Sequence, residues 1–181
     1  DVDWEVVADD DSSLTVQDRP GFLGITVAAP RSDVAETRVA LLLREAVGDF
    51  VLLTRVEFDP QADRHIAGLV IEGDDQRRIS FGLVALSGPR GSFRGIIPVV
   101  DEPATLDLDR TVLAYEESQV VLRIQRVRDA FELSYSRDGE TFTRVGTATT
   151  NLSDAVRVGV GAATREDCTR DCSQIVPAEF D

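Results

Sequence analysis

Apolar and polar residues alternate along this chain, and the dominant period is two rather than 3.6. Phe22-Leu-Gly-Ile-Thr-Val27 follows the turn residues Arg19-Pro-Gly21, and Phe50-Val-Leu-Leu-Thr-Arg-Val-Glu-Phe58 ends at Asp59-Pro60. Ala67-Gly-Leu-Val-Ile-Glu72 runs into Gly73-Asp74-Asp75-Gln76, a hairpin-type turn, and Arg78-Ile-Ser-Phe-Gly-Leu-Val84 returns from it. Val120-Val-Leu-Arg-Ile-Gln-Arg-Val127 turns at Arg128-Asp129. Phe131-Glu-Leu-Ser-Tyr-Ser136 turns at Asp138-Gly139, Thr141-Phe-Thr-Arg-Val145 comes back, and Val156-Arg-Val-Gly-Val-Gly161 closes the series. Aspartate-glycine between alternating runs is a strong hairpin signal, because both residues tolerate the positive φ that tight turns require. Short strands this numerous predict an all-β fold, a two-sheet antiparallel jelly-roll sandwich. Arg38 to Ala46 has some helical character, yet its Leu41-Leu-Leu43 centre fits a strand equally well. Gly88 to Pro103 is rich in glycine and proline and predicts an irregular excursion. No linker, low-complexity segment or internal repeat divides the chain, so residues 1–181 read as a single domain.

Alternation also sorts the faces, since successive side chains on a strand point opposite ways. Ala67, Leu69 and Ile71 share a face with Ile79, Phe81 and Leu83, and Val120, Leu122 and Ile124 share one with Phe131, Leu133 and Tyr135. These are the predicted core. The opposite face carries Gly68, Val70, Glu72, Arg78, Ser80 and Gly82, and continues through Arg123, Gln125, Glu132 and Ser134. Such a surface is either a solvated outer face or the lining of a curved sheet that holds a polar ligand. The candidate ligand-binding residues are Glu72, Arg78, Ser80, Arg123, Gln125, Glu132 and Ser134. Paired arginines and glutamates on neighbouring strands serve equally as plain cross-strand ion pairs.

Composition narrows the chemistry. All 19 basic residues are arginine, 33 residues are acidic, and the formal net charge is −14. That charge repels phosphate backbones and argues against a nucleic-acid partner. With 43% hydrophobic residues the chain can bury a core, and no apolar run is long enough to insert in a membrane. His65 is the single histidine, which excludes histidine-rich metal centres. Absent lysine reads as a sign of origin, an arginine-biased or salt-adapted host. Cys168 and Cys172 sit in Cys168-Thr-Arg-Asp-Cys172, one residue off the redox spacing. They are either free thiols or a local disulfide, and redox-compartment logic favours the disulfide in a secreted, extracellular protein. The opening Asp-Val-Asp-Trp4, without an initiator methionine or apolar leader, reads as a mature product or an excised domain.

Several segments together resemble a known family. Trp4-Glu-Val-Val7, Ser13-Leu-Thr15 and Arg19-Pro-Gly-Phe-Leu23 are similar to the opening of the concanavalin A-like domain at the C-terminus of family 43 β-xylosidases. Leu41-Leu-Leu43, Gly48-Asp-Phe50, Val56-Glu-Phe-Asp-Pro60 and Ala67-Gly-Leu-Val-Ile71 follow in that family's order. So do Val121-Leu-Arg-Ile124, Tyr135-Ser-Arg-Asp-Gly139, Phe142-Thr-Arg-Val145, Val158-Gly-Val-Gly161 and Val176-Pro-Ala-Glu-Phe-Asp181. Related extracellular lectin-like domains share the pattern. The resemblance implies a jelly roll of two antiparallel sheets and an accessory role beside a glycoside hydrolase, with polysaccharide such as xylan as partner. Gln76-Arg-Arg-Ile79 departs from the family's usual asparagine-tyrosine pair, the Cys168–Cys172 loop is foreign to it, and the chain stops where the family continues through another short strand.

Catalysis finds little support. Glu57-Phe-Asp59 begins the alternating carboxylates of a sandwich hydrolase, but Gln61 and Ala62 stand where a second glutamate is needed, and Pro60 breaks the strand. Calcium is the cofactor that acidic loops of this kind would hold, with Asp74 and Asp75 as candidate ligands beside the Asp9-Asp10-Asp11 and Asp107-Leu-Asp109 clusters. Solvated loops explain the same clusters, and none has EF-hand spacing. Aromatic residues, the usual platforms for sugar rings, make up 6% of the chain. Trp4 and Tyr135 read as core, Tyr115 and Phe93 as rim residues near loops, and His65 as a surface histidine. The expected function is therefore a non-catalytic, secreted carbohydrate-binding or accessory module. The alternative is a structural protein of the cell exterior that self-associates through an open sheet edge.

Overall fold

The structure, a computed structural model, describes residues 3–10, 12–16, 18–27, 36–59, 65–74, 77–88, 91–101, 105–108, 113–166 and 176–181. They form fifteen strands: β1 (Glu5–Ala8), β2 (Ser13–Thr15), β3 (Leu23–Val27), β4 (Glu36–Val47), β5 (Phe50–Phe58), β6 (Ile66–Glu72), β7 (Arg78–Gly88), β8 (Gly91–Val100), β9 (Thr105–Leu108), β10 (Leu113–Ala114), β11 (Gln119–Val127), β12 (Ala130–Ser136), β13 (Thr143–Thr149), β14 (Ala155–Glu166) and β15 (Val176–Phe180). The front sheet has seven strands in the order β1-β4-β14-β6-β7-β8-β10, and the back sheet eight in the order β2-β3-β15-β5-β11-β12-β13-β9. Every pairing is antiparallel. The fold is the two-sheet sandwich that the period-two pattern predicts.

The predicted core faces meet between the sheets. Leu69, Ile71, Ile79 and Phe81 of the front sheet pack with Val120, Leu122, Ile124, Phe131 and Leu133 of the back sheet in one apolar cluster. Burying each such side chain contributes about 1.5–3 kcal/mol relative to leaving it in water. Tight turns hold the hairpins in register. The Asp138 carboxylate accepts hydrogen bonds from the amides of Glu140 and Thr141, both at 2.8 Å, while Gly139 takes φ 81°.

Other expectations are corrected. Arg38 to Ala46 lies wholly within β4, because two neighbours, β1 and β14, satisfy its backbone. Within the stretch expected to be an irregular excursion, Gly88 and the residues from Gly91 to Val100 are regular strand. Residues 78–88 and 91–100 pair continuously from Ile79↔Val100 to Gly88↔Gly91. The β-branched pairs Ile96-Ile97 and Val99-Val100 favour extended backbone, and Pro98 lies beyond the two residues at which β8 also pairs with β10. Trp4 is no core plug; it is 49% exposed and lies beneath the Arg44 guanidinium, 5.6 Å from its ring centroid, beside an edge strand too short to cover it. His65 is fully buried rather than a surface residue, since it leads into β6 at the middle of the front sheet. Tyr115 is buried too. Its hydroxyl donates to the Gln119 carbonyl at 2.7 Å, its ring meets Tyr135 edge-on at 5.7 Å, and burial pushes its pKa up to about 12. Phe93 is exposed.

Among the described residues, the sheets end in short strands: β1 and β9 of four residues, β2 of three and β10 of two. The last strand, β15, lies inside the back sheet between β3 and β5. The open terminal edge on which self-association would rest is therefore not formed by β15. Cys168, Cys172 and Asp75 lie outside the described residues.

Candidate functional site

The residues singled out for a ligand-binding face are shared between two surfaces. Glu72, Arg78 and Ser80 lie on β6 and β7 of the front sheet, and Arg123, Gln125, Glu132 and Ser134 on β11 and β12 of the back sheet. The second group is occupied with itself. Arg123 Nε donates to Ser134 Oγ at 2.9 Å, the guanidinium stacks 4.2 Å from the Phe142 ring centroid, and Glu132 lies 3.8 Å from it. Gln125 pairs across to Glu132.

The front sheet is shaped differently. Its outward residues form rows across the strands, fixed by register. One row runs Leu41–Gly161–Gly68–Gly82–Ile97 across β4, β14, β6, β7 and β8. The next, on one side, is Leu43–Gly159–Val70–Ser80–Val99, and on the other side Val39–Ala163–Ile66–Val84–Gly95. Three adjacent glycines thus remove the side chains from the middle of the sheet. The neighbouring backbone requires two of them: a Cβ on Gly68 would strike Phe81 O and Gly82 Cα, and one on Gly82 would strike Ala67 O. The result is a trough of about 380 Å³ lined by Leu41, Ile66, Val70, Ser80, Val99 and Ala163 among others, with Arg78 and Asp101 at one end. Leu41, Leu43 and Val70 form a second apolar cluster along it, outside the main core.

A row of alternating charge closes that end. Glu45, Arg157, Glu72 and Arg78 stand opposite one another on β4, β14, β6 and β7. Asp101 follows, its carboxylate accepting from the Arg78 amide at 3.0 Å. Glu72 is 1% exposed and accepts from Arg78 Nε on one oxygen and from Arg157 on the other. A buried carboxylate is tolerated only with such partners. Arg157 also reaches Glu5 at 2.7 Å. The Nε bond to Glu72 is the single side-chain hydrogen bond Arg78 makes among the described residues, so its two terminal amino groups are available to a ligand. Spacing alone missed the glycine row, although glycines inside strand patterns are its sequence signal.

The other candidates are structural in this arrangement. Glu57 takes hydrogen bonds from Arg19 and from Gln119 at 3.0 Å, and Arg19 joins it to Glu179 at 2.6 Å. Those two carboxylates hold the Arg19 guanidinium firmly protonated, Glu57 most of all. Asp59 pairs with Arg94 at 2.5 Å. Asp74 and Asp107 are exposed. Among the described residues, no group of three or more histidine, cysteine, aspartate or glutamate side chains is arranged to hold a metal.

The two antiparallel sheets form a sandwich of the concanavalin A-like class. Within that class, residues 1–164 match the model of the β-xylosidase C-terminal concanavalin A-like domain, and the chain belongs to this family. No curated protein sequence matches it. Among solved structures it is similar to a functionally unknown protein from Saccharomyces cerevisiae, at 17% identity and TM-score 0.75, over 98% of this chain and 92% of that one. It is also similar to the xylan β-1,4-xylosidase of Bacillus halodurans, at 19% identity and TM-score 0.60, over 92% of this chain and 33% of the enzyme. A third, the GH43 protein BlXynB of Bacillus licheniformis, has 16% identity and TM-score 0.66, over 98% of this chain and 35% of that one. The chain thus spans about a third of these two Bacillus proteins. At such identities the likeness shows the fold.

Proposed function

We propose that this chain is a non-catalytic module that works beside a glycoside hydrolase outside the cell and holds a polysaccharide such as xylan in the front-sheet trough. The observation that carries this reading is the glycine floor between Leu41 and Ile97. A pyranose ring has an apolar face and a rim of hydroxyls. The floor accepts the face by close approach rather than by stacking on an aromatic ring, in a chain that is 6% aromatic, and Ser80, Arg78 and Asp101 meet the rim. Family membership supports the accessory role. The paired ions around Glu57 and Asp59 support the non-catalytic one, because each carboxylate is held in an ion pair with an arginine.

Affinity electrophoresis in soluble xylan tests the reading. Retardation is expected for the wild type and for Arg123→Ala, whose side chain lies on the back sheet. Ser80→Trp places an indole in the trough and should abolish retardation while leaving the fold intact. Loss in Arg123→Ala with retention in Ser80→Trp would move the site to the back sheet. No retardation of any form would reject polysaccharide binding.

A further inference from the structure

We infer that the trough selects an uncharged glycan and rejects one whose sugars carry carboxylates. This deepens the polysaccharide-binding reading and rests on it. The polar end of the trough looks cationic by residue type, since Arg78 lines it and Arg157 stands two strands away. Its charges say otherwise. Both guanidiniums are bound to the buried carboxylate of Glu72. Glu45 faces Arg157 across β4 and β14, Glu5 holds Arg157 at 2.7 Å, and Asp101 borders Arg78 on the trough side. Glu72 thus binds both guanidiniums and Glu5 binds Arg157, while Glu45 stands in register beside Arg157 and Asp101 accepts from the Arg78 backbone, on a chain whose net charge is −14.

A ring carboxylate entering beside Arg78 would meet a cation already compensated by Glu72, and would lie against Asp101. A neutral ring meets a better match. Adjacent hydroxyls can donate to the Asp101 carboxylate while accepting from the two Arg78 amino groups that no described residue engages. The rest of the trough, walled by Val39, Leu41, Ile66, Val70 and Val99, offers a carboxylate no charged partner and a single side-chain donor, the Ser80 hydroxyl. Discrimination here comes from repulsion at one end of a site whose attraction is otherwise indifferent to charge.

Isothermal titration of the whole chain at low ionic strength tests the inference with three ligands. They are a linear neutral xylo-oligosaccharide, the same oligosaccharide bearing one glucuronic acid, and its carboxyl methyl ester. The acid should bind at least tenfold more weakly than the neutral chain. The ester should recover most of that loss, and added salt should narrow the gap, because exposed charges are screened within about 10 Å at 0.1 M. Asp101→Asn keeps an acceptor for the Arg78 amide and should reduce the discrimination severalfold. Equal or tighter binding of the acid, or no recovery in the ester, overturns charge selection while leaving polysaccharide binding in place. Binding of none of the three overturns both. The ester and salt arms need no substitution, so the result does not depend on a variant that folds.

Discussion

At the scale of single residues, Arg126 shows how a buried charged group is held by several partners at once. Arg126 is 3% exposed, yet its guanidinium donates to three backbone carbonyls: Arg128 at 2.9 Å, Asp154 at 3.0 Å and Ser153 at 2.9 Å. The Phe50 and Phe131 rings flank it. Arg126 therefore ties the β11–β12 turn to the segment that enters β14. Arg126→Ala leaves a cavity and removes a donor from each of those carbonyls, and should destabilise by about 3 kcal/mol. Arg126→Lys keeps the charge without the planar fork and should fall between. Urea midpoints at constant m-value check both. Asp138 gives the pH counterpart. Its pKa is lowered to about 2, first by the Thr141 amide, then by the Ser136 hydroxyl and the Glu140 amide. The folded state thus favours the carboxylate. The contribution is complete above pH ~4, near the unfolded pKa, and is lost as pH falls toward 2. Asp138→Asn should be less stable than wild type at pH 6, and the difference should shrink on titration to pH 2, read by thermal melts across that range.

At the scale of elements, the trough depends on how closely neighbouring strands approach. A Cβ on Gly159 would strike the Leu42 carbonyl, which is backbone and cannot swing aside. A Cβ on Gly161 would strike mainly the Leu41 Cδ2 methyl, the free end of a flexible side chain. Gly159→Ala should therefore destabilise more than Gly161→Ala. Overpacking typically costs about 1–3 kcal/mol, and the backbone clash belongs at or above the top of that range. Chemical denaturation of the two variants side by side measures the difference. Gly161→Ala should also narrow the trough, so it should weaken xylan binding more than it weakens the fold.

At the scale of the molecule, the outer faces of the two sheets are arranged for different ends. On the back sheet Arg123, Ser134, Glu132 and Phe142 engage one another. On the front sheet the glycine row leaves a space that nothing in the described chain fills. A ligand that binds the folded state and not the unfolded one stabilises by about 2.7 kcal/mol at a hundred times its Kd. Xylan oligosaccharide at that excess should raise Tm by several degrees in the wild type and in Arg123→Ala, and by none in Ser80→Trp. Differential scanning fluorimetry gives the shift directly.

Local chemistry alone determined much of this protein. Alternation along each strand settled which side chains enter the core, because period two puts every second residue on one face whatever the neighbouring strand is. Ile71, Phe81, Leu122 and Leu133 are buried as the pattern requires. Aspartate-glycine at 138–139 set its own turn, since that dipeptide accepts the required φ without tertiary help. Strand adjacency decided the rest. Glu72 and Arg123 carry the same alternation signal, yet they belong to different sheets, and no spacing rule separates them. Gly161 lies beside Gly68 only because β14, far along the chain, inserts between β4 and β6. Burial of His65 and Tyr115 and exposure of Trp4 follow from position in the sheets, not from residue type. The trough is thus a product of register between distant strands, where side chains absent from three neighbouring strands coincide.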